Sequence, residues 1–197
     1  TLKKLTIHGN FHEQINPLPD SLKELDLLYC CYNKPIYTLP KSLRILKLGQ
    51  LFSEYLCDLP DNLETLIIIG FFNQNLDKLP IKLKTFKIMN CCNFVFNQNI
   101  LPENLQVFAL NIKCKEIINN LPKTLKVLII ANDTKISIND IPDSVEILII
   151  KKSYRLNVTI NVINKLPKNL RKLVLPYDYN LMNIHADLSN IIVEKLE

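Results

Sequence analysis

Prolines recur along this chain at nearly constant intervals. Eight of them lie 20 to 25 residues apart, each follows a Leu or an Ile, and each is followed three residues later by an apolar residue. These prolines are Pro19, Pro40, Pro60, Pro80, Pro102, Pro122, Pro142 and Pro167. Self-similarity with a period near 20 residues is typical of proteins that stack copies of one structural unit. The chain is therefore predicted to fold as a repeat array with a continuous core.

An apolar pattern, L-x-x-L-x-L, follows each proline. An early copy consists of Leu43, Leu46 and Leu48, and a late copy of Val145, Leu148 and Ile150. A further copy, Leu2, Leu5 and Ile7, begins the chain. The period-2 spacing at the end of each copy predicts a short strand with one buried face, and nine such strands share a core by stacking in parallel. A 20-residue period leaves too little chain for a crossover helix. The sequence therefore predicts a solenoid of about nine coils, with short parallel strands on its concave side and a mostly irregular convex side.

The segments that connect the copies carry a second pattern. Residues 72–76 read Phe-Asn-Gln-Asn-Leu and residues 96–100 read Phe-Asn-Gln-Asn-Ile, with more degenerate copies at 32–36 and 11–15. Together with the L-P-x-S/N-L that follows, they resemble the leucine-rich-repeat family, and specifically its FNIP-repeat branch, over about residues 1 to 175. Cys114 and Thr134 depart from this pattern at the Phe position. The core pattern is also similar to the 20-residue repeat of bacterial effector proteins, but the Phe-Asn segments favour the FNIP assignment.

This resemblance implies a role in binding other proteins. FNIP arrays are often found in amoebae and in the large viruses that infect them, sometimes behind an F-box that links targets to a ubiquitin ligase. What the resemblance implies is therefore a protein–protein interaction module, with the target-binding part of a ubiquitin-ligase-type adaptor as its most specific form. The expected location is the cytoplasm, or the host cytoplasm for a viral protein.

The outward positions of the predicted strands contain many aliphatic residues. In L-x-x-L-x-L these positions are the second and fourth x and the residue after the last apolar one, and they face the concave surface. The predicted partner-binding residues there are Ile67, Ile69, Val107, Ala109, Val127, Ile129, Ala131, Ile147, Ile149 and Val174. Those on coils six to eight, from Val107 to Ile149, lie side by side as a contiguous apolar patch, which indicates a binding or assembly surface. The alternative is that β-branched residues simply suit strands and that the C-terminal tail covers them.

The chain after Pro176 leaves the repeat pattern. Residues 187–196 have Leu188, Ile191, Ile192 and Leu196 on one face of a helix, which predicts a short C-terminal helix. The sequence thus divides into a repeat array over 1–176 and a C-terminal cap over 177–197. A cap would shield the last coil, because an open strand edge pairs readily with other chains. A docking helix for a partner is the alternative.

The sequence contains no pattern typical of an enzyme or a metal site. Its six cysteines lack C-x-x-C spacing, and its three histidines accompany no recognisable catalytic motif. We therefore expect no catalytic residues, no metal and no cofactor, with the cysteines reduced. The net charge of +5 is scattered instead of clustered, which argues against nucleic acid, and no apolar run approaches the length of a membrane span.

Two functions remain open on the sequence. One is a module that binds another protein. The other is a structural or assembly protein that associates with copies of itself or belongs to a larger particle. The first copy, from Leu2 to Ile7, has no visible cap, which leaves upstream residues or end-to-end association as expectations for that end.

Overall fold

The chain forms a single sheet of ten parallel strands. A computed structural model describes residues 1–74, 76, 78–91, 101–112, 120–131, 141–152 and 163–196, with only the backbone at 90, 91, 111, 112 and 131. The strands are β1 (Lys4–Gly9), β2 (Glu24–Cys30), β3 (Ile45–Leu48), β4 (Thr65–Ile69), β5 (Thr85–Cys91), β6 (Val107–Ile112), β7 (Val127–Ala131), β8 (Ile147–Lys151), β9 (Lys172–Pro176) and β10 (Ile192–Leu196). They pair in chain order. The predicted repeat solenoid is confirmed, with one strand from each coil.

Each repeat proline closes a turn immediately before its strand. The N–H of Leu43 donates to the carbonyl of Pro40 at 3.0 Å, and the equivalent bond recurs at all eight repeat prolines. The hydroxyl of Ser42, inside this turn, lies 2.6 Å from the carbonyl oxygens of Asp20 and Leu22 in the preceding coil. The L-P-x-S/N-L sequence thus shapes the turn within one coil and ties it to the coil before.

The inward positions of the repeat form one continuous core. The register of the strands places equivalent residues of successive coils side by side. Leu46, for example, pairs with Leu66, and Leu66 pairs with Phe86. The central apolar residues of coils two to nine are all fully buried: Leu25, Leu46, Leu66, Phe86, Phe108, Leu128, Leu148 and Leu173. Burying each such side chain contributes roughly 1.5–3 kcal/mol. The first coil has a neighbour on one side only, and Leu2 is 47% exposed.

An aromatic ladder runs along the convex side of the first four coils. It comprises Phe11, Tyr32, Phe52 and Phe72, whose successive ring centroids are 6.2, 6.3 and 6.2 Å apart. Phe11, Tyr32 and Phe72 open the Phe-Asn segments and their degenerate copies, whereas sequence reasoning missed Phe52, although residues 52–56 match the pattern as well as residues 11–15 do. The segment 96–100, Cys114 and Thr134 lie outside the described residues. In these four coils the Phe position is therefore a stacking position, buried in coils two to four and half-buried in the first.

The remainder of the described convex side is largely irregular. Isolated bridges join Ile36 to Leu56 and Ile163 to Ile184. The carboxamide oxygen of Asn33 accepts a hydrogen bond from the N–H of Ser53 at 2.8 Å. Such single contacts link neighbouring coils without building a second sheet, as the short repeat period predicted.

The C-terminal segment is a strand, and the predicted helix over 187–196 is wrong. β10 continues the sheet beside β9, with Val193 paired to Leu173. In the described chain the only helical segment is a 3-10 turn at Leu181–Asn183. A strand here satisfies the open N–H and C=O groups of β9, which a helix would leave without partners. The sheet therefore has ten strands, and the last of them lies beyond residue 176.

β10 also carries a charge where the core pattern requires an apolar residue. Lys195 pairs in register with Leu175, an inward position in the preceding coil. Its ammonium donates to the carbonyl of Tyr177 at 3.1 Å. Lys195 is exposed, and a lysine on an edge strand discourages further strands from adding to that edge. The segment predicted as a helical cap thus contains a strand that pairs with β9.

Candidate partner-binding face

The concave face is formed by the outward residues of the ten strands. Inward and outward residues alternate along each strand, so the pattern in β4 and in β8 is half-buried, buried, half-buried, buried, half-buried. The half-buried positions are those predicted for partner binding. They are positioned by the core residues on either side, which hold the strand backbone rigidly in place.

Three neighbouring strands place aliphatic residues side by side on this face. Val107 pairs with Val127 and Val127 with Ile147, while Ile129 pairs with Ile149 one step further along the strands. All five side chains are half-buried. We refer to these five residues as the aliphatic patch. It presents a continuous apolar surface about three strands wide, or roughly 10 Å between the outer strands.

Two of the predicted residues offer little surface to a partner. Ala109 is 0% exposed, because its methyl group lies between the longer side chains of Lys87 and Ile129. Val174 is 5% exposed, between Ile149 on one side and Glu194 of β10 on the other. Both residues lie beside the aliphatic patch and contact its border, but they add little accessible surface to it. The side chain of Ala131 lies outside the described residues.

Ile67 and Ile69 are separated from the aliphatic patch by β5. Lys87 pairs with Ile67 on one side and with Ala109 on the other, so a cation interrupts the apolar surface. Met89 of β5 pairs with Ile69 on one side but with the polar Asn111 on the other. Ile67 and Ile69 therefore lie apart from the apolar residues on β6 to β8, and sequence reasoning did not single out the lysine between them.

The C-terminal tail does not cover the aliphatic patch. β10 extends the sheet at its edge, beside β9, instead of folding across β6 to β8. Leu188, Ile191 and Val193 pack against the core, not against the concave face. The alternative in which the described tail shields these aliphatic residues is therefore wrong.

Ion pairs cover the concave face at the N-terminal end of the array. The ammonium of Lys47 lies 2.7 Å from Asp26 and 3.3 Å from Glu24, and Lys4 lies 3.1 Å from Glu24. Burial raises the pKa of Asp26, but the hydrogen bonds from Lys47 and from the N–H of Leu28 outweigh it and hold that pKa below 3.8. The hydrogen bond to Asp26 raises the pKa of Lys47 above 10.5. These charges compensate one another within the chain.

A second, smaller ion pair lies at the other end. Lys172 of β9 is 2.8 Å from Glu194 of β10. The aliphatic patch therefore occupies the part of the concave face that lies between two internally paired charged regions.

The described histidine and cysteine side chains are spread along the chain. The His8 ring stacks on Tyr29 at 6.1 Å, and His185 Nδ1 lies 3.2 Å from the Asn164 carboxamide oxygen. Burial raises the pKa of Cys30 and of Cys57, which are free thiols. Among the residues with described positions, no group of three His, Cys, Asp or Glu side chains is placed to hold a metal.

Membrane insertion through a helix finds no support in the described part of the chain. None of its helical segments has the length and hydropathy needed to cross a bilayer.

Comparison with known proteins identifies a fold relative. No protein-family model and no curated protein sequence matches the chain. The solved structure of CroV588, a circular leucine-rich-repeat protein, is similar to it with a TM-score of 0.58 and 22% sequence identity. The similarity covers 98% of this chain and 33% of CroV588, so the chain spans about a third of that protein's length. The fold is that of a leucine-rich-repeat solenoid.

Proposed function

We propose that this chain is a protein–protein interaction module whose concave face binds a partner through the aliphatic patch. The observation that carries the proposal is the half-exposed aliphatic surface on β6 to β8, where the described chain places no covering segment. Apolar surface of this kind, bordered by charged residues, is typical of binding sites. The rigid core beneath it would hold the surface in one shape before the partner arrives, which lowers the entropy lost on binding.

More specifically, we assign the array to the FNIP-repeat branch and propose that it selects targets for a ubiquitin-ligase-type adaptor. The stacked aromatic residues at the Phe position of coils one to four support the branch assignment. Free thiols at Cys30, Cys31 and Cys57 are consistent with a reducing compartment. The proposed location is therefore the cytoplasm, or the host cytoplasm if the chain is viral instead of amoebal.

Affinity capture from a cell extract tests the binding function. The wild-type chain is compared with the double variant Ile129→Glu, Ile149→Glu, which places two charges in the aliphatic patch. The matched control is Ile192→Glu on β10, because Ile192 also faces outward and is 63% exposed. The wild type and the control are expected to retain the same protein, and the double variant to lose it.

The opposite outcome is equally informative. Retention of the same proteins by all three chains would show that the aliphatic patch is not the binding surface. Far-ultraviolet circular dichroism on each variant establishes that loss of binding does not come from loss of the fold.

Self-assembly is a second candidate function, supported by the N-terminal end of the sheet. β1 has an open edge, Leu2 is 47% exposed, and Leu5 and Ile7 are only half-buried. Burying these residues against another copy would release apolar surface from water. Sedimentation velocity at increasing concentration tests this: association that Leu2→Lys prevents would support assembly, and a concentration-independent monomer would exclude it.

A further inference from the structure

The charges on the concave face are distributed unevenly. On β4 to β8 its outward positions carry no Asp or Glu, but they carry two lysines, Lys87 and Lys151. By contrast, the outward carboxylates elsewhere on the face are paired within the chain: Glu24 and Asp26 with Lys47, and Glu194 with Lys172. The central part of the face is therefore positively charged and lacks internal compensation.

Lys87 is the more constrained of these two cations. It is half-buried between Ile67 of β4 and Ala109 of β6. Among the described residues it forms no ion pair and no side-chain hydrogen bond, and the same holds for Lys151. A cation surrounded by aliphatic side chains gains the most from a carboxylate when a partner excludes water from the surface.

The positions of the two lysines define a distance for a partner to match. Lys87 and Lys151 lie three strands apart and are offset by two residues along the strands. With strands about 4.8 Å apart and about 3.3 Å per residue, their Cα atoms are roughly 16 Å apart. An extended chain covers that distance in about five residues. Of the aliphatic patch, Ile129 and Ile149 are level with Lys87 and lie beside the line that joins the two cations.

We propose that the concave face binds an extended acidic and aliphatic segment of another protein. One carboxylate of the segment pairs with Lys87, a second carboxylate about five residues away pairs with Lys151, and aliphatic side chains between them cover Ile129 and Ile149. This inference rests on the proposed function and names the chemistry of the partner. A nucleic acid fits less well, because its phosphates would lie against the aliphatic patch and would be desolvated there.

Selection from a displayed library of random 12-residue peptides tests this proposal. The library is selected separately on the wild type, on Lys87→Met, on Lys87→Glu and on the double variant Ile129→Glu, Ile149→Glu. Peptides from the wild type are expected to be enriched in Asp or Glu beside Leu, Ile and Val. Lys87→Met, which keeps the length of the side chain without its charge, is expected to weaken a selected peptide about tenfold.

Charge reversal gives the sharpest result. On Lys87→Glu, selection is expected to replace the acidic residue at one position of the peptide with Lys or Arg, and to leave the aliphatic positions unchanged. An acidic preference that is identical on the wild type, Lys87→Met and Lys87→Glu would overturn the inference. So would tight binding of an oligothymidylate strand that depends on Lys87.

The same selection distinguishes failure of the acidic-partner proposal from failure of the proposed binding function. Peptides that bind the wild type without acidic residues, but not the double variant, contradict the acidic partner and leave the aliphatic binding surface intact. If no peptide distinguishes the wild type from the double variant, both the acidic partner and the proposed binding surface are overturned.

Discussion

Two parts of the concave face are built on the same backbone but carry opposite chemistry. On β1 to β3 the outward residues Lys4, Glu24, Asp26 and Lys47 neutralise one another. On β6 to β8 the equivalent positions are aliphatic and half-exposed. The inward residues of both parts are buried leucines and similar apolar residues. The repeat therefore separates two tasks, since inward positions maintain the fold and outward positions are free to differ.

A partner would gain more binding free energy on the aliphatic part of the face than on the charged part. Paired charges lose their water on binding and gain little in return, because their Coulomb attraction is already satisfied within the chain. Aliphatic residues that stand half in water gain from being covered. The two parts of the face are thus expected to respond differently to substitution.

The largest expected effect comes from comparing Ile130 and Ile129, neighbours on β7 that face the core and the concave surface respectively. Ile130→Glu buries a charge in the core, where Ile130 is 4% exposed, and should lower the free energy of unfolding by more than about 4 kcal/mol. Ile129→Glu faces outward and should change it by less than about 1 kcal/mol. Urea denaturation followed by circular dichroism measures both. Similar losses for the two variants would break the distinction between inward and outward positions.

The aromatic ladder of the N-terminal coils provides the next largest effect. Phe72→Ala removes a fully buried ring that stacks on Phe52, and should cost about 3–5 kcal/mol. Its neighbour Phe71 is 54% exposed, so Phe71→Ala is a matched control with a much smaller expected cost. Thermal unfolding of both variants measures the difference. Equal melting temperatures would mean that the ladder does not stabilise the convex side.

The ion cluster on β2 and β3 should make the N-terminal part of the face sensitive to acid. Asp26→Asn removes the carboxylate that pairs with Lys47, with an expected cost of roughly 1–3 kcal/mol at pH 7. Because the folded pKa of Asp26 is below 3.8, its contribution is complete above pH 3.8 and is lost as the pH falls through the folded value. Wild type and variant should therefore converge in stability on acidification. Urea midpoints at pH 7 and pH 3 measure this, and Asp20→Asn serves as an exposed control.

A constant stability difference between wild type and Asp26→Asn at both pH values would contradict that account. It would indicate that the cost arises from packing around Asp26 and not from its ionisation.

The smallest effect compares one repeat position in the two parts of the array. The hydroxyl of Ser42 lies within hydrogen-bond distance of two carbonyls, so Ser42→Ala should cost about 1 kcal/mol. The hydroxyl of Ser144, at the same position, is buried without a partner among the described residues, so Ser144→Ala should be neutral or slightly stabilising. Chemical denaturation measured in parallel distinguishes them. A cost at Ser144 as large as at Ser42 would remove this contrast.

Much of the fold could be predicted from the sequence because each inward position repeats about every 20 residues. Periodic prolines and leucines identify the turn, the strand and its buried face in every coil, and stacking is the arrangement that buries all of them. The Phe-Asn segments likewise identify positions of the aromatic ladder. Such local signals determine the repeat unit and the parallel order of its strands.

The tertiary structure decided the features that depend on neighbours in space. Residues 187–196 have apolar spacing that fits a helix, but the unpaired edge of β9 selects a strand, because its backbone groups need partners. Ala109 is outward in the pattern yet buried, because the adjacent side chains are longer. The division of the predicted site by Lys87 likewise follows from cross-strand register. Periodicity determines which way a residue faces, whereas its exposure and its partners depend on residues that are distant in sequence.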